Sequence, residues 1–322
     1  MRTLLLLFVL GISLIGFSQE KQNSVKLIKQ KHLTNLPSAS AVKLLDGSVY
    51  IIGDDSPFLY KLDSSFAIIS KTLITGNDSM PNGRVPKAIK ADFESMAVFQ
   101  DKKEFYLLVL SSGSKEITRD TIHLISLKEN RVVKSKNVRP LYNLIIEKAG
   151  LPLDGINIEA LIMNKSNVYM MQRGNNNENL IMTFNTKDFM KYLNKENANI
   201  PDFSITRFLL PAMENTLAGF SGACILKENS GLLFTASLEA STNVYDDGEI
   251  LGSYVGTIKF SDFEEGRSTA ELVVVNGETL KTKLEGISNK SVVGNKITII
   301  AVSDNDDGTS WIYEMEYVVG ID

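Results

Sequence analysis

The stretch ESMAVFQDKKEFYLLVLSS, Glu94 to Ser112, decides the fold. It opens on a carboxylate, runs through apolar residues to a polar turn at Asp101-Lys102, and returns through a strand rich in aromatic and apolar residues that ends on serines. Alternating runs of this kind about turn residues read as a β-hairpin. The same grammar recurs as SASAVKLLDGSVYIIGDD from Ser38, EALIMNKSNVYMMQRG from Glu159, SGACILKENSGLLFTASLE from Ser221 and EGISNKSVVGNKITIIAVSD from Glu285. The five openings fall 56, 65, 62 and 64 residues apart. Self-similarity at a near-constant period marks a repeat architecture.

Further strands follow each hairpin. Phe58–Leu62 is succeeded by Ile68–Ile74, Ile122–Leu127 by Val132-Val133, Ile181–Phe184 by Phe203–Leu210, and Val255–Phe260 by Ala270–Val275. Four strands per unit is the composition of a propeller blade. The fifth unit stops at Trp311–Met315, and Val25–Ile28 is available to supply its outer strand, which would close the ring and remove free sheet edges. The expectation is an all-β propeller of about five four-stranded blades, closed by the N-terminal strand. Six blades, one of them degenerate, is the alternative. Paired β-sandwiches fit less well, because Greek-key topology carries no such repeat. Leu141–Ala149 and Asp188–Glu196 read as short connecting helices.

The chain has 322 residues and a formal net charge of -4, from 34 basic and 38 acidic side chains. No basic stripe stands out, which argues against nucleic acid as a partner. Met1-Arg2 followed by the apolar run Leu4–Phe17 and the polar Ser18-Gln19 has the layout of a signal peptide. The run is shorter than the roughly 20 apolar residues that span a bilayer. Residues 1–18 are therefore expected to be removed. The single domain 19–322 is expected to be exported to the periplasm or beyond, without a transmembrane segment and as a monomer. Cys224 is the sole cysteine and lies in an apolar stretch, so no internal disulfide forms and packing is its expected role.

In a propeller the inner strand of each blade lines the channel. The aligned openings Ser38, Glu94, Glu159, Ser221 and Glu285 would bring carboxylates and hydroxyls to one axis. Like charges in one place resist ionising together unless a cation compensates. Calcium would do so, taking roughly six to eight oxygen ligands. Asp54, Ser112, Arg173, Glu239 and Asp304 close the second strands, with a register open by about one residue. If they share the same rim, Arg173 could fork an anionic ligand while Asp54 and Glu239 hold a polar one. The alternative is structural: each glutamate accepts hydrogen bonds from the neighbouring blade's backbone.

Other motifs are weaker. Gly219-Phe220-Ser221-Gly222-Ala223 resembles a nucleophile elbow without its last glycine. Asp304–Gly308 hints at a calcium loop but lacks the glutamate that would complete it. His32 and His123 are too scattered for a zinc site. Arg173–Asn177 reads as an exposed loop.

The openings Phe93–Ala97, Ile158–Leu161 and Leu284–Ile287, with Val302–Asp306, resemble the exported esterase-like phytase propellers and related bacterial secreted propellers, and more distantly the lactonases of the strictosidine synthase type. That resemblance implies a possible calcium site at Glu94, Glu159, Glu285 and Asp304. The basic cluster needed to hold a polyphosphate is not visible. Two functions remain open: a propeller binding a small molecule, glycan or peptide at its channel mouth or rim loops, or a calcium-dependent hydrolase of phosphate esters or lactones.

Overall fold

The computed structural model describes residues 24–76, 78–174, 179–240, 248–305 and 307–320. The expected leader, its expected cleavage position and most of the Arg173–Asn177 loop lie outside the described residues. Five four-stranded antiparallel sheets follow one another along the chain. Blade one comprises Ala39–Leu45, Ser48–Gly53, Phe58–Leu62 and Ile68–Leu73; blade two Phe93–Asp101, Glu104–Ser111, Thr121–Ser126 and Arg131–Asn137. Blade three comprises Ile158–Met163, Asn167–Gln172, Asn179–Asn185 and Phe203–Phe208; blade four Gly219–Ile225, Gly231–Ala240, Glu249–Lys259 and Thr269–Leu272. Blade five takes Lys283–Val293, Lys296–Asp304 and Ser310–Val318, and its outer strand is Ser24–Leu33 from the other end of the chain. The inner strands touch in the order one to five and back to one, so the ring is closed with five blades, not six.

Each blade is apolar on both faces, so its side chains must be covered from two sides. Five buried clusters result, each shared by two adjacent blades. The core is thus distributed radially between sheets, which leaves the axis free for polar groups. The helix Arg139–Ala149 links blades two and three and stops at Gly150, whose φ of 70° suits a glycine cap. The helix Thr186–Asn194 starts where the Asn185 side chain accepts from the Lys187 and Asp188 amides. Both helices pack onto the cluster between those blades.

The expected outer strand Ala270–Val275 divides in two. Thr269–Leu272 completes blade four, while Val274-Val275 pairs with Glu278-Thr279 in a separate hairpin. Asn276 and Gly277 both adopt positive φ, the requirement of a tight two-residue hairpin turn.

Every inner strand carries a β-bulge near its start. The extra residues are Ser40, Glu94, Glu159, Ser221 and Glu285. Four of these are the expected openings, but in blade one the equivalent residue is Ser40 and not Ser38. Ser38 lies two positions earlier, in the place that Asp92 takes in blade two, and both have left-handed backbone. A bulge re-aims the side chain that it inserts. After each bulge comes a small residue: Ala41, Ser95, Ala160, Gly222 or Gly286. At two of these positions backbone approaches backbone: a Cβ on Gly222 would lie 2.1 Å from the Glu285 carbonyl, and one on Gly286 would lie 2.8 Å from the Ala41 Cα. The channel is correspondingly narrow, lined by residues of all five inner strands. Lys43 of blade one crosses it to donate to the Ala223 carbonyl of blade four at 2.8 Å, and burial lowers its pKa.

Candidate functional site

The five bulge residues divide by chemistry. The Ser40 hydroxyl donates to the Phe93 carbonyl of the next blade, and Ser221 donates to the Leu284 carbonyl at 2.5 Å. Both serines tie one inner strand to its successor. Ser221 is fully buried within a strand, so it is a strut and no nucleophile. The three glutamates do something else. Glu94, Glu159 and Glu285 each offer a carboxylate oxygen, and these oxygens all lie within 4.8 Å of one another. The donors that reach Glu159 and Glu285 belong to side chains: Asn157 Nδ2 at 2.6 Å on Glu159, and Lys283 Nζ at 2.8 Å on Glu285. Among the described residues Glu94 has no hydrogen bond or ion pair. The Oε2 atom of Glu285, whose residue is 3% exposed, is buried without a partner.

Electrostatics follow from this crowding. Burial, reinforced by the charge of Glu285, pushes the Glu159 carboxyl up to about 8. Burial and the charges of Glu159 and Asp54 hold Glu94 well above the ordinary carboxylate range. Glu239 behaves oppositely: burial would raise it, but Lys283 and Arg173 outweigh burial and draw it below the usual value. The Arg173 guanidinium reaches Glu239 Oε2 at 2.8 Å and Glu159 Oε1 at 3.5 Å. It is therefore engaged with two carboxylates of the protein itself.

Blades one and two hold a second set of charges. Lys90 Nζ pairs with Asp54, lies 3.2 Å from Asp55 and 3.0 Å from Asp92. Arg119 reaches Asp92 at 2.9 Å, Arg84 Nε donates to Asp55 at 2.6 Å, and the Ser112 hydroxyl donates to Asp92. Burial pushes Asp54 up to about 7 against the pull of Lys90. Burial would also raise Asp92, yet Lys90 and Arg119 hold it below the usual range. Asp304 stands outside the glutamate trio; its charge acts on Asp54 and Arg84.

Seven residues singled out in the sequence are thus placed: Glu94, Glu159 and Glu285 together, Arg173 and Glu239 bonded beside them, Asp54 and Asp304 on the blade-one side. In blade four the second-strand residue opposite Gly219 is Ser237, and Glu239 reaches the site from two positions further on. Lys90, Asp92, Lys283, Asp55 and Arg119 were missed. Asp92 and Lys283 had a signal in the spacing alone, since each lies two residues before an opening. Lys90 sits in the loop between blades, where no strand pattern marks it.

The remaining candidates resolve simply. Cys224 is buried, with Asn289 Nδ2 at 3.8 Å. His32 stacks on Trp311 in blade five, and His123 bonds Ser135 in blade two. At Asp304–Gly308, Asp306 is outside the described residues, and Asp307 accepts from the amide and hydroxyl of Thr309. Among the described residues no helix is long and apolar enough to cross a membrane.

The molecule is thus a five-bladed propeller with an acidic, internally paired channel mouth. The signature of a family of unknown function, DUF6929, matches residues 35–317, and the chain belongs to that family. No curated protein matches the chain. Among solved structures, the glutaminyl cyclase of Myxococcus xanthus is similar over 93% of this chain and 98% of its own, at 10% identity and a TM-score of 0.50. Virginiamycin B lyase of Staphylococcus aureus covers 91% of this chain and 99% of its own, at 9% identity and a TM-score of 0.39. The first likeness is one of fold. The esterase-like phytase resemblance rests on the short openings quoted above.

Proposed function

We propose that this protein is an exported binding propeller whose channel mouth takes up a divalent cation, calcium foremost, on Glu94, Glu159 and Glu285. The leader-like residues 1–18 support export. The observation that carries the site is the Glu285 carboxylate: its Oε2 is buried without a donor, and one of its oxygens lies within 4.8 Å of oxygens of Glu94 and Glu159. Leaving such an atom unsatisfied costs free energy that a ligand would recover. The donor set consists of hard oxygens, suited to calcium, magnesium or manganese. Charge is compatible: a divalent ion that displaces the protons Glu94 and Glu159 hold would leave four carboxylates against Arg173, Lys283 and the ion, a neutral group.

Binding is favoured over hydrolysis of phosphate esters or lactones because of Arg173. A hydrolytic reading needs that guanidinium to meet developing negative charge, yet it is already committed to Glu159 and Glu239. The test is a thermal melt of residues 19–322 in EDTA and then in excess calcium. A ligand that binds only the native state adds about 2.7 kcal/mol at a hundredfold excess over its Kd. A rise in Tm that Glu159→Gln abolishes is the expected result. A Tm indifferent to calcium, magnesium and manganese would sink the reading.

A further inference from the structure

Glu94 belongs to two groups of acids at once. Its carboxylate stands within 4.8 Å of Glu159 and Glu285 on one side, and within 4.8 Å of Asp54 and Asp92 on the other. The second group already contains a cation. Lys90 Nζ touches Asp54, Asp55 and Asp92, and its side chain is 9% exposed. Around it Arg119 neutralises Asp92 and Arg84 neutralises Asp55, which leaves Asp54 dependent on Lys90 and Glu94 without a partner. The Asp54 Oδ1 atom is itself buried without a donor.

We propose that the mouth is a pair of cation cages sharing Glu94, and that Lys90 is the resident cation of one of them, standing where a second divalent ion would otherwise bind. Lys90 is thereby the residue that determines stoichiometry and net charge. An ammonium on a flexible stem presents a compact point charge, the closest side-chain equivalent of a bound ion. With Lys90 in place, a positive charge already fills the half of the mouth nearest Glu94, so one exchangeable ion completes the site. With Lys90 truncated, Asp54, Asp92 and Glu94 become an open oxygen cage beside the first. Two ions bridged by one carboxylate would follow, in the manner of two-metal centres roughly 4 Å apart. This inference extends the calcium reading of the trio, but it can fail or stand separately from it.

The experiment counts ions on the whole mature chain. Calcium stoichiometry is measured by titration calorimetry, and manganese stoichiometry by electron paramagnetic resonance, for wild type, Lys90→Ala and Lys90→Arg. The expected result is one ion for wild type, two for Lys90→Ala with mutual broadening of the manganese signals, and one for Lys90→Arg, which keeps the charge. A purely structural lysine would leave the count unchanged, so equal counts in wild type and Lys90→Ala overturn the proposal. Zero ions in wild type and one in Lys90→Ala uphold the Lys90 cage while removing the trio as a metal site. If Lys90→Ala fails to fold in EDTA, recovery of its circular dichroism on adding calcium or manganese is the supporting result. Failure of both ions to restore it overturns the proposal.

Discussion

Acidification should find its weakest point at His123. The ring lies in the third strand of blade two, 8% exposed, with Nδ1 2.8 Å from the Ser135 hydroxyl and its edge against Phe93 at a centroid distance of 5.5 Å. Among the described residues no carboxylate compensates it, and burial pushes its pKa from 6.5 down to about 4. The folded chain therefore refuses a proton that the unfolded chain accepts. The His123 contribution is constant above pH 6.5, declines as the pH falls from 6.5 towards 4, and levels off below. At about 1.4 kcal/mol per pH unit that interval amounts to a loss of about 3 kcal/mol. The perturbation is His123→Gln, which retains an amide to pair with Ser135 and does not titrate. Urea denaturation of both proteins in EDTA at pH 7, 6, 5 and 4 measures the difference. Wild type should lose about 3 kcal/mol more than the variant across that range. The reasoning is refuted by two parallel stability curves, or by an imidazole that titrates near 6.5 in the folded protein by NMR.

Two shorter expectations concern the mouth and the ring. In EDTA, Glu159→Gln should match wild type near pH 4 and exceed it in stability at pH 8. The reason is that a carboxyl raised to about 8 contributes stability below its unfolded pKa and loses it as the pH climbs; denaturant titration at both pH values reads the sign. Gly286→Ala drives a methyl into the Ala41 backbone and should cost about 1–3 kcal/mol, whereas Gly76→Ala, in open space and without a positive φ, offers a comparison free of contacts and of backbone strain.

Much of the architecture was legible because a propeller writes its period into the chain. Each hairpin must bury both faces, so apolar runs recur at blade spacing, and the early stop after Met315 required a strand from elsewhere. Register was harder. The bulge inserts one residue without any change in composition, and for that reason Ser38 seemed to open blade one when Ser40 does. The site was read by half. Glutamates at repeat positions stand out against the period, whereas Lys90 reaches the mouth from an irregular connection, and the partners of a buried charge follow from three-dimensional closure alone. Arg173 shows the same gap: its position was readable, its engagement with Glu159 and Glu239 was not.

The strand Ser24–Leu33 pairs along its length with Ser310–Val318, Ser24 facing Val318 and Leu33 facing Ser310. In folding terms this ladder is a clasp on a bracelet. Four blades can form from neighbouring hairpins as the chain emerges, each by contacts close in sequence. The fifth cannot, since its outer strand is the first of the described chain and its neighbour the last. Ring closure therefore joins the most distant paired strands of the described chain and carries the largest loop entropy among them, although that cost grows only with the logarithm of loop length. Until it happens blade five presents a bare edge that can pair with another chain. A ring whose first four blades each pair strands in chain order is locked by the pairing of its two most distant strands.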